Sequence, residues 1–302
     1  MIQVFGTVCI DHLQRVPRLP EPGGYVEIED ETTMLGGEAA NTALALQTWG
    51  AEVQLYANAP GQDVQADVLR RLMLQKGLRE HSTSIRAAKR TPVCEIYVTP
   101  DGDRTMFGLG FREMRHSIDF EGIEMAPGEW FTVEPNMAEV AREAATRAAK
   151  AGMHVYLMDF VHADDPIIAG GYWQSSTDWA GKRNDPAQNE RWVSNWIERF
   201  GCFTILTDGP HGFYAGSPKE AVRHYPPYPC PEIVDTTGAG DVFRAGALFG
   251  LNQSWPSGRF LQYASAAGCL KCRHLGGTSG VPSRDEIQAL IGANPAISRK
   301  YE

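Results

Sequence analysis

A chain of 302 residues, 43% of them hydrophobic, is long enough to bury a full core as one large α/β domain or two modest ones. Its formal net charge is −9 and no Lys/Arg run interleaves with aromatic residues, which argues against nucleic acid and anionic membranes as partners. The six cysteines (Cys9, Cys94, Cys202, Cys230, Cys269, Cys272) suggest no disulfide framework. No apolar run approaches the roughly 18 residues of a membrane span, and no signal peptide precedes the first strand-like run, so a reducing cytoplasm is the expected compartment.

In chain order, residues 2–10 read as a buried strand broken by Gly6 and followed by Asp11. Helical period over 39–49, closed by Gly50, precedes a strand at Val53–Ala57. Val64, Val68, Leu69, Leu72 and Met73 recur at helical spacing until Gly77. Between 91 and 109, two β-like runs flank Pro100-Asp101-Gly102-Asp103, a hairpin signal. Pro22-Gly23-Gly24 likewise sits between extended runs at 13–19 and 25–33, so both pieces read as hairpin insertions into a regular βα alternation.

The alternation resumes with a helix over 136–151, with Asn136 as candidate N-cap, and a strand over 154–160. A helix over 188–200, a strand at Phe203–Thr207 and an apolar helix over 242–251 follow, then a small-residue helix over 257–272. Cys269 and Cys272 fall in that last helix and read as packing, because no second pair stands at a zinc spacing. Ser283-Arg284-Asp285-Glu286 predicts a capping box, and residues 292–302 a loosely held tail. Such alternation predicts a parallel sheet covered by helices on both faces, and no linker divides residues 1–302 into two domains.

The stretch with most chemistry is Val234-Asp235-Thr236-Thr237-Gly238-Ala239-Gly240-Asp241, which runs directly into a helix. Its small residues let the backbone turn sharply and aim N–H groups together, and the helix adds its positive dipole end. This makes an anion hole suited to a phosphoryl group in flight, with Asp241 beside it to accept a hydroxyl proton. Asp is also a favoured N-cap, so the motif alone leaves a plain tight turn open. A Rossmann fingerprint and a Walker P-loop are both absent. The histidines form no ligand spacing for a transition metal.

Asp235-Thr236-Thr237-Gly238-Ala239-Gly240-Asp241 closely resembles the C-terminal signature of the ribokinase-like (PfkB) carbohydrate kinases. Gly36-Gly37-Glu38-Ala39-Ala40-Asn41-Thr42-Ala43 resembles their N-terminal signature, about 200 residues earlier. The resemblance extends from the first strand to Gly276-Gly277-Thr278-Ser279-Gly280-Val281-Pro282. It implies a doubly wound, mostly parallel sheet flanked by helices, with a small β-sheet lid from roughly 12–34 and 90–110. It also implies ATP and magnesium, a sugar-like substrate, a monovalent cation such as potassium, and a homodimer formed through the lid.

Roles carry over by position. Asp241 matches the catalytic base, and Gly238, Ala239 and Gly240 the anion hole. Asp11 and Asn41 match sugar-contacting residues, Gly36 and Gly37 the hinge between lid and core, and Arg104 an arginine of the lid. As alternatives, Asp11 caps a turn and Asn41 a helix. Thr207 and Gly209, within Thr207-Asp208-Gly209-Pro210-His211-Gly212, match the ATP turn, and Ser265 a residue beside adenine. Asp235 and Thr237 match cation ligands, together with backbone carbonyls near Arg273 and Gly276. Two departures stand out. The family's Asn-x-x-Glu becomes Ser175-Ser176-Thr177-Asp178, so Asp178 is equally a magnesium-linked residue or a surface carboxylate. Arg244 replaces a small or polar residue, and either reaches an anionic substrate group or points to solvent. Two rival functions are a nucleoside kinase, for which Phe107 and Phe111 would supply aromatic contacts, and a catalytically silent sugar-binding regulator.

Overall fold

The computed structural model describes residues 1–78, 90–115, 117–118, 122–230 and 232–302. The first half comprises β1 (Ile2–Gly6), β2 (Cys9–Arg15), β3 (Asp30–Gly36), α1 (Glu38–Thr48), β4 (Val53–Ala57), α2 (Gln65–Gln75), β5 (Val93–Val98), β6 (Arg104–Leu109) and α3 (Phe111–Met114). Then come β7 (Trp130–Val133), α4 (Ala138–Lys150), β8 (His154–Met158), β9 (Tyr172–Ser176), α5 (Pro186–Phe200) and β10 (Phe203–Thr207). The chain finishes with β11 (Phe213–Ser217), β12 (Glu220–Tyr225), α6 (Ala239–Asn252), α7 (Ser257–Lys271), α8 (Arg284–Ala293) and α9 (Pro295–Ser298).

Eight strands pair in the order β12-β11-β10-β9-β8-β7-β1-β4, parallel from β10 to β4 and antiparallel at β11 and β12. Apolar side chains fill both faces, as a buried parallel sheet requires. One face packs against α1, α6, α7 and α8, the other against α4 and α5. A second sheet, β3-β2-β5-β6, has a much thinner interior of Leu13, Ile96 and Val98, with Met34, Cys94 and Leu275 against it. No helix of the described residues is long and apolar enough to cross a membrane.

Several local expectations shift. The run over 2–10 is two strands: β1 ends at Gly6 in the large sheet, and β2 starts at Cys9 in the small one. The first insertion pairs Cys9–Arg15 with Asp30–Gly36, and no strand is assigned between them. Pro17, Pro20 and Pro22 fall in that stretch and offer no N–H to a ladder. The second insertion is the predicted hairpin, in which Thr99 N–H donates to the Asp103 carbonyl at 3.0 Å. Asn136 is not a helix cap. Glu134 caps a short 3-10 turn at Pro135–Met137, and the Asn136 amide instead donates to Glu38 Oε1 at 2.9 Å. The capping box forms at Ser283 and Glu286. The tail is docked, not loose: Tyr301 is buried and its hydroxyl donates to the Pro226 carbonyl at 2.7 Å.

Candidate active site

The large sheet reverses its growth at β1, since the chain steps to β4 on one side and β7 on the other. In open α/β sheets the crevice beyond the carboxyl ends at such a point receives ligand. Two strand-end carboxylates stand there. Glu134, just past β7, is fully buried, its Oε1 accepting Thr7 N–H at 2.5 Å and its Oε2 accepting Asn136 N–H at 2.7 Å. Burial, reinforced by the charge of Glu38, pushes its pKa up to about 7. Asp159, just past β8, has φ 57° and accepts Ser175 Oγ at 2.7 Å. Burial, again with Glu38, lifts it to about 8.

From the small sheet, β2 delivers Asp11, which is 4% exposed. Burial raises its carboxyl to about 7 against the pull of the Cys9 thiol, which donates to Oδ1 at 3.2 Å. The neighbour must be glycine: a Cβ on Gly36 would lie 2.1 Å from that carboxyl. Gly37 follows at φ 99°, a conformation side chains resist, and turns the chain from β3 into α1. One turn into α1, Asn41 is buried and donates through Nδ2 to Asp241 Oδ2 at 2.7 Å. Its capping role is excluded, because it lies inside α1 and its side chain crosses to α6.

Gly238 sits at φ 79° before α6, pressed so close to the next loop that a Cβ would lie 2.8 Å from Gly277 Cα. The Ala239 N–H is spent on the Thr236 carbonyl at 3.2 Å. The N–H groups of Gly238, Gly240 and Asp241 have no acceptor among the described residues. Of the three donors expected for an anion hole, Gly238 and Gly240 thus keep a free N–H, and Asp241's own N–H is free beside them. Gln174 on β9 fixes the turn from below, donating to the Gly240 carbonyl at 3.1 Å.

Asp241 is 5% exposed. Burial raises it to about 7, and Arg244 opposes that shift, with Nη2 at 3.4 Å from Oδ1. Arg244 itself is fully buried, so it does not point to solvent. Its Nε donates to Thr42 Oγ1 at 2.9 Å and its Nη2 to the Glu38 carbonyl at 2.8 Å, which staples the start of α1 to α6. A cation so placed stabilises the ionised form of the candidate base.

Other predicted residues lie at varying distances from this centre. Arg104 donates from β6 to Thr236 Oγ1 at 2.6 Å, tying the small sheet to the anion-hole loop. Thr207 ends β10, and its hydroxyl donates to the Ser175 carbonyl at 3.3 Å; Gly209 opens an exposed turn at φ 52°. Asp208 between them is buried and accepts Thr177 Oγ1 at 2.9 Å and Asn184 N–H at 3.0 Å. Ser265 lies in α7 beside the Tyr301 hydroxyl. Asp178 stands on the surface, 54% exposed at the side chain and paired with Arg183 at 2.9 Å. Asp235 Oδ1 accepts both the N–H (2.8 Å) and the Oγ1 (2.7 Å) of Thr237, and Oδ2 accepts Gly276 N–H at 2.7 Å.

Sequence reading missed Glu38, Glu134, Asp159 and the buried Lys271. Glu134 and Asp159 each follow an apolar strand directly, as Asp11 was expected to, and that signal would have found them. Glu38 lies inside the N-terminal motif and offers a buried Oε2 with no partner among the described residues.

The arrangement brings together a buried carboxylate, free N–H groups at a helix start and several unspent polar atoms. The family model for pfkB family carbohydrate kinases matches residues 1–115 and 176–284. A Dictyostelium discoideum protein described as an uncharacterized sugar kinase is 29% identical, with 97% of this chain and 98% of that one covered. The ATP-dependent ribose-1-phosphate kinase of Halopiger xanaduensis is 26% identical over 95% of this chain and 96% of its own. The solved ribokinase of Giardia lamblia shares the fold at a TM-score of 0.78 and 17% identity, with 95% of this chain and 98% of that one covered. The chain belongs to the pfkB family of carbohydrate kinases.

Proposed function

We propose that this kinase transfers the γ-phosphoryl group of ATP to a primary hydroxyl of a small sugar or sugar derivative, with Asp241 as the base. The observation that carries the reading is the buried Asp241 carboxylate, held by Asn41 beside free N–H groups at the start of α6. Buried polar atoms without partners among the described residues surround it: Thr7 Oγ1, Glu38 Oε2, Asn41 Oδ1, Arg104 Nε and Arg244 Nη1. Orphans of both signs suit a ligand carrying several hydroxyls, each able to donate and accept.

In the proposed step, Asp241 takes the hydroxyl proton as the oxygen bonds to the γ-phosphorus and the bond to the ADP oxygen breaks. Gly238 and Gly240 donate to the transferring group. Asp11 and Asn41 hold the sugar, and Thr207, Gly209 and Ser265 line the nucleotide side. Bound magnesium would neutralise phosphate charge. Asp178 is the carboxylate that would help hold it, once its pairing with Arg183 opens. Exposed Met106, Phe107 and Leu109 on β6 support a dimer through the small sheet.

The test is ADP release over ketoses, aldoses, sugar acids, sugar phosphates and nucleosides, run on the parent and on Asp241→Asn. Turnover with at least one sugar, lowered about 10²–10⁴-fold in the variant, is expected. Turnover with nucleosides alone would move the assignment to the nucleoside reading. No turnover on any acceptor would remove the proposed chemistry.

A further inference from the structure

The anion-hole loop is not self-supporting. Val234 and Asp235 donate their N–H groups to the Cys272 carbonyl at 2.8 and 3.1 Å, and Asp235 Oδ2 receives Gly276 N–H at 2.7 Å. Asp235 thus locks the segment before Gly238 onto the segment after α7. Asp235 is 0% exposed, and its three bonds all come from neutral donors. A buried carboxylate held only by neutral groups gains further from a positive charge nearby.

Lys271 brings one to the loop that Asp235 grips, acting through space and not as a contact pair. It is the last residue of α7 and is fully buried, and its Nζ donates to the His274 carbonyl at 3.0 Å. The carboxyl end of a helix, where carbonyls lack intrahelical donors, favours a cation. Burial lowers the Lys271 pKa, and the field of Asp235 works in the opposite direction. The family resemblance places a monovalent cation here, held by Asp235, Thr237 and nearby backbone carbonyls. The oxygen set does not fit a second monocation. Oδ1 of Asp235 already accepts two bonds, the His274 carbonyl faces an ammonium, and the Gly276 carbonyl accepts Ser279 Oγ at 3.2 Å.

We propose that Lys271 is the built-in monocation of this site, its ammonium supplying the charge that would otherwise come from bound potassium. Lys271 is then a positioning residue: it neutralises Asp235 and holds the two loops that shape the anion hole. The inference rests on the reading of that loop as the phosphoryl site, but its first test needs no turnover.

Thermal unfolding of the parent is compared in potassium chloride and in tetramethylammonium chloride at equal ionic strength. A specific ion that binds only the folded state raises Tm by mass action. The proposal expects the two Tm values to agree within about 1 °C. A potassium-specific rise of several degrees would overturn it, whether or not the protein proves to be a kinase. The second arm uses Lys271→Met, which keeps the bulk and removes the charge. In potassium-free buffer its kcat should fall about tenfold or more while the sugar KM stays within about twofold, because a loosened anion hole weakens the transition state, not sugar binding. A folded variant with parental Tm and kcat in that buffer would remove Lys271 from the role. If the variant does not fold, the parent's comparison of the two salts decides alone.

Discussion

The two sheets are built differently, and the proposed chemistry divides along that difference. The large sheet is covered on both faces, and it anchors Glu134, Asp159 and, through Gln174, the turn into α6. The small sheet has three buried apolar side chains for an interior, and one residue packed on them, Leu275, comes from outside it. It carries Asp11 and Arg104, and it meets the large body at Gly36, at Arg104–Thr236 and at Thr278 Oγ1 bonded to the Leu35 carbonyl. Proton transfer depends on sub-ångström placement and belongs on the thick, satisfied body. Substrate grip tolerates an element that opens at low free energy. The contrast has a limit, because Val93 of β5 is buried in the large body's core. One end of the hairpin is therefore anchored in that core.

The severest break falls on the large body. Arg244→Met keeps volume but leaves the Asp241 carboxylate buried without its cation, so unfolding by denaturant should register a loss of about 3–5 kcal/mol at pH 8. On the small sheet, Asp11→Ala should spare stability and raise the sugar KM about 10–100-fold, the worth of hydrogen bonds to a charged group, with the ATP KM nearly unchanged. Equal rises in both constants would make Asp11 a structural residue.

A milder separation comes from pH. Asp11, Glu134, Asp159 and Asp241 all have folded pKa values raised by burial, to about 7 or about 8. Each holds its proton more tightly when folded, so their contribution is full below the usual carboxylate range and is lost as pH rises through 7 to 8. The parent should therefore melt higher at pH 5.5 than at pH 8. Asp241→Asn removes one of these carboxyls, so the difference in Tm between pH 5.5 and pH 8 should shrink in the variant, whatever its absolute stability. An unchanged difference would take Asp241 out of the titrating set. The smallest effect is hydrogen exchange on amides 91–109, where a working sugar should slow exchange in the half of the hairpin nearest Arg104. Equal exchange with and without sugar would make the small sheet fixed scaffold.

What could be read beforehand was local. Gly36-Gly37 and Gly238 demand backbone shapes that only their own residues explain, and each stands directly before a helix, so motif, helix and site were legible together. Strands β4 and β10 were read to the residue because a glycine, Gly50 or Gly201, ends the helix just before each. Strand β7 spans four residues, too short to declare a period, so the switch point beside it stayed hidden. The same locality explains Asn136 and Glu134. Asn is a preferred cap by type and Glu is not, and only the pairing of β1 with β7 brings Thr7 within reach of Glu134. Lys271 read as one more helix residue, because its partners lie after the helix and on the anion-hole loop.

The account's central claim is that Asp241 accepts the hydroxyl proton, and the dependence of kcat/KM on pH tests it most directly. For the parent it should rise with pH through a midpoint near 7 to a plateau above about pH 8, because a carboxyl raised to about 7 must lose its proton before it can act. Asp241→Asn, which keeps the hydrogen-bonding shape, should lie about 10²–10⁴-fold below that curve on the plateau. A variant within about threefold of the parent across the whole range would contradict the claim and leave the buried carboxylate a helix-end fixture.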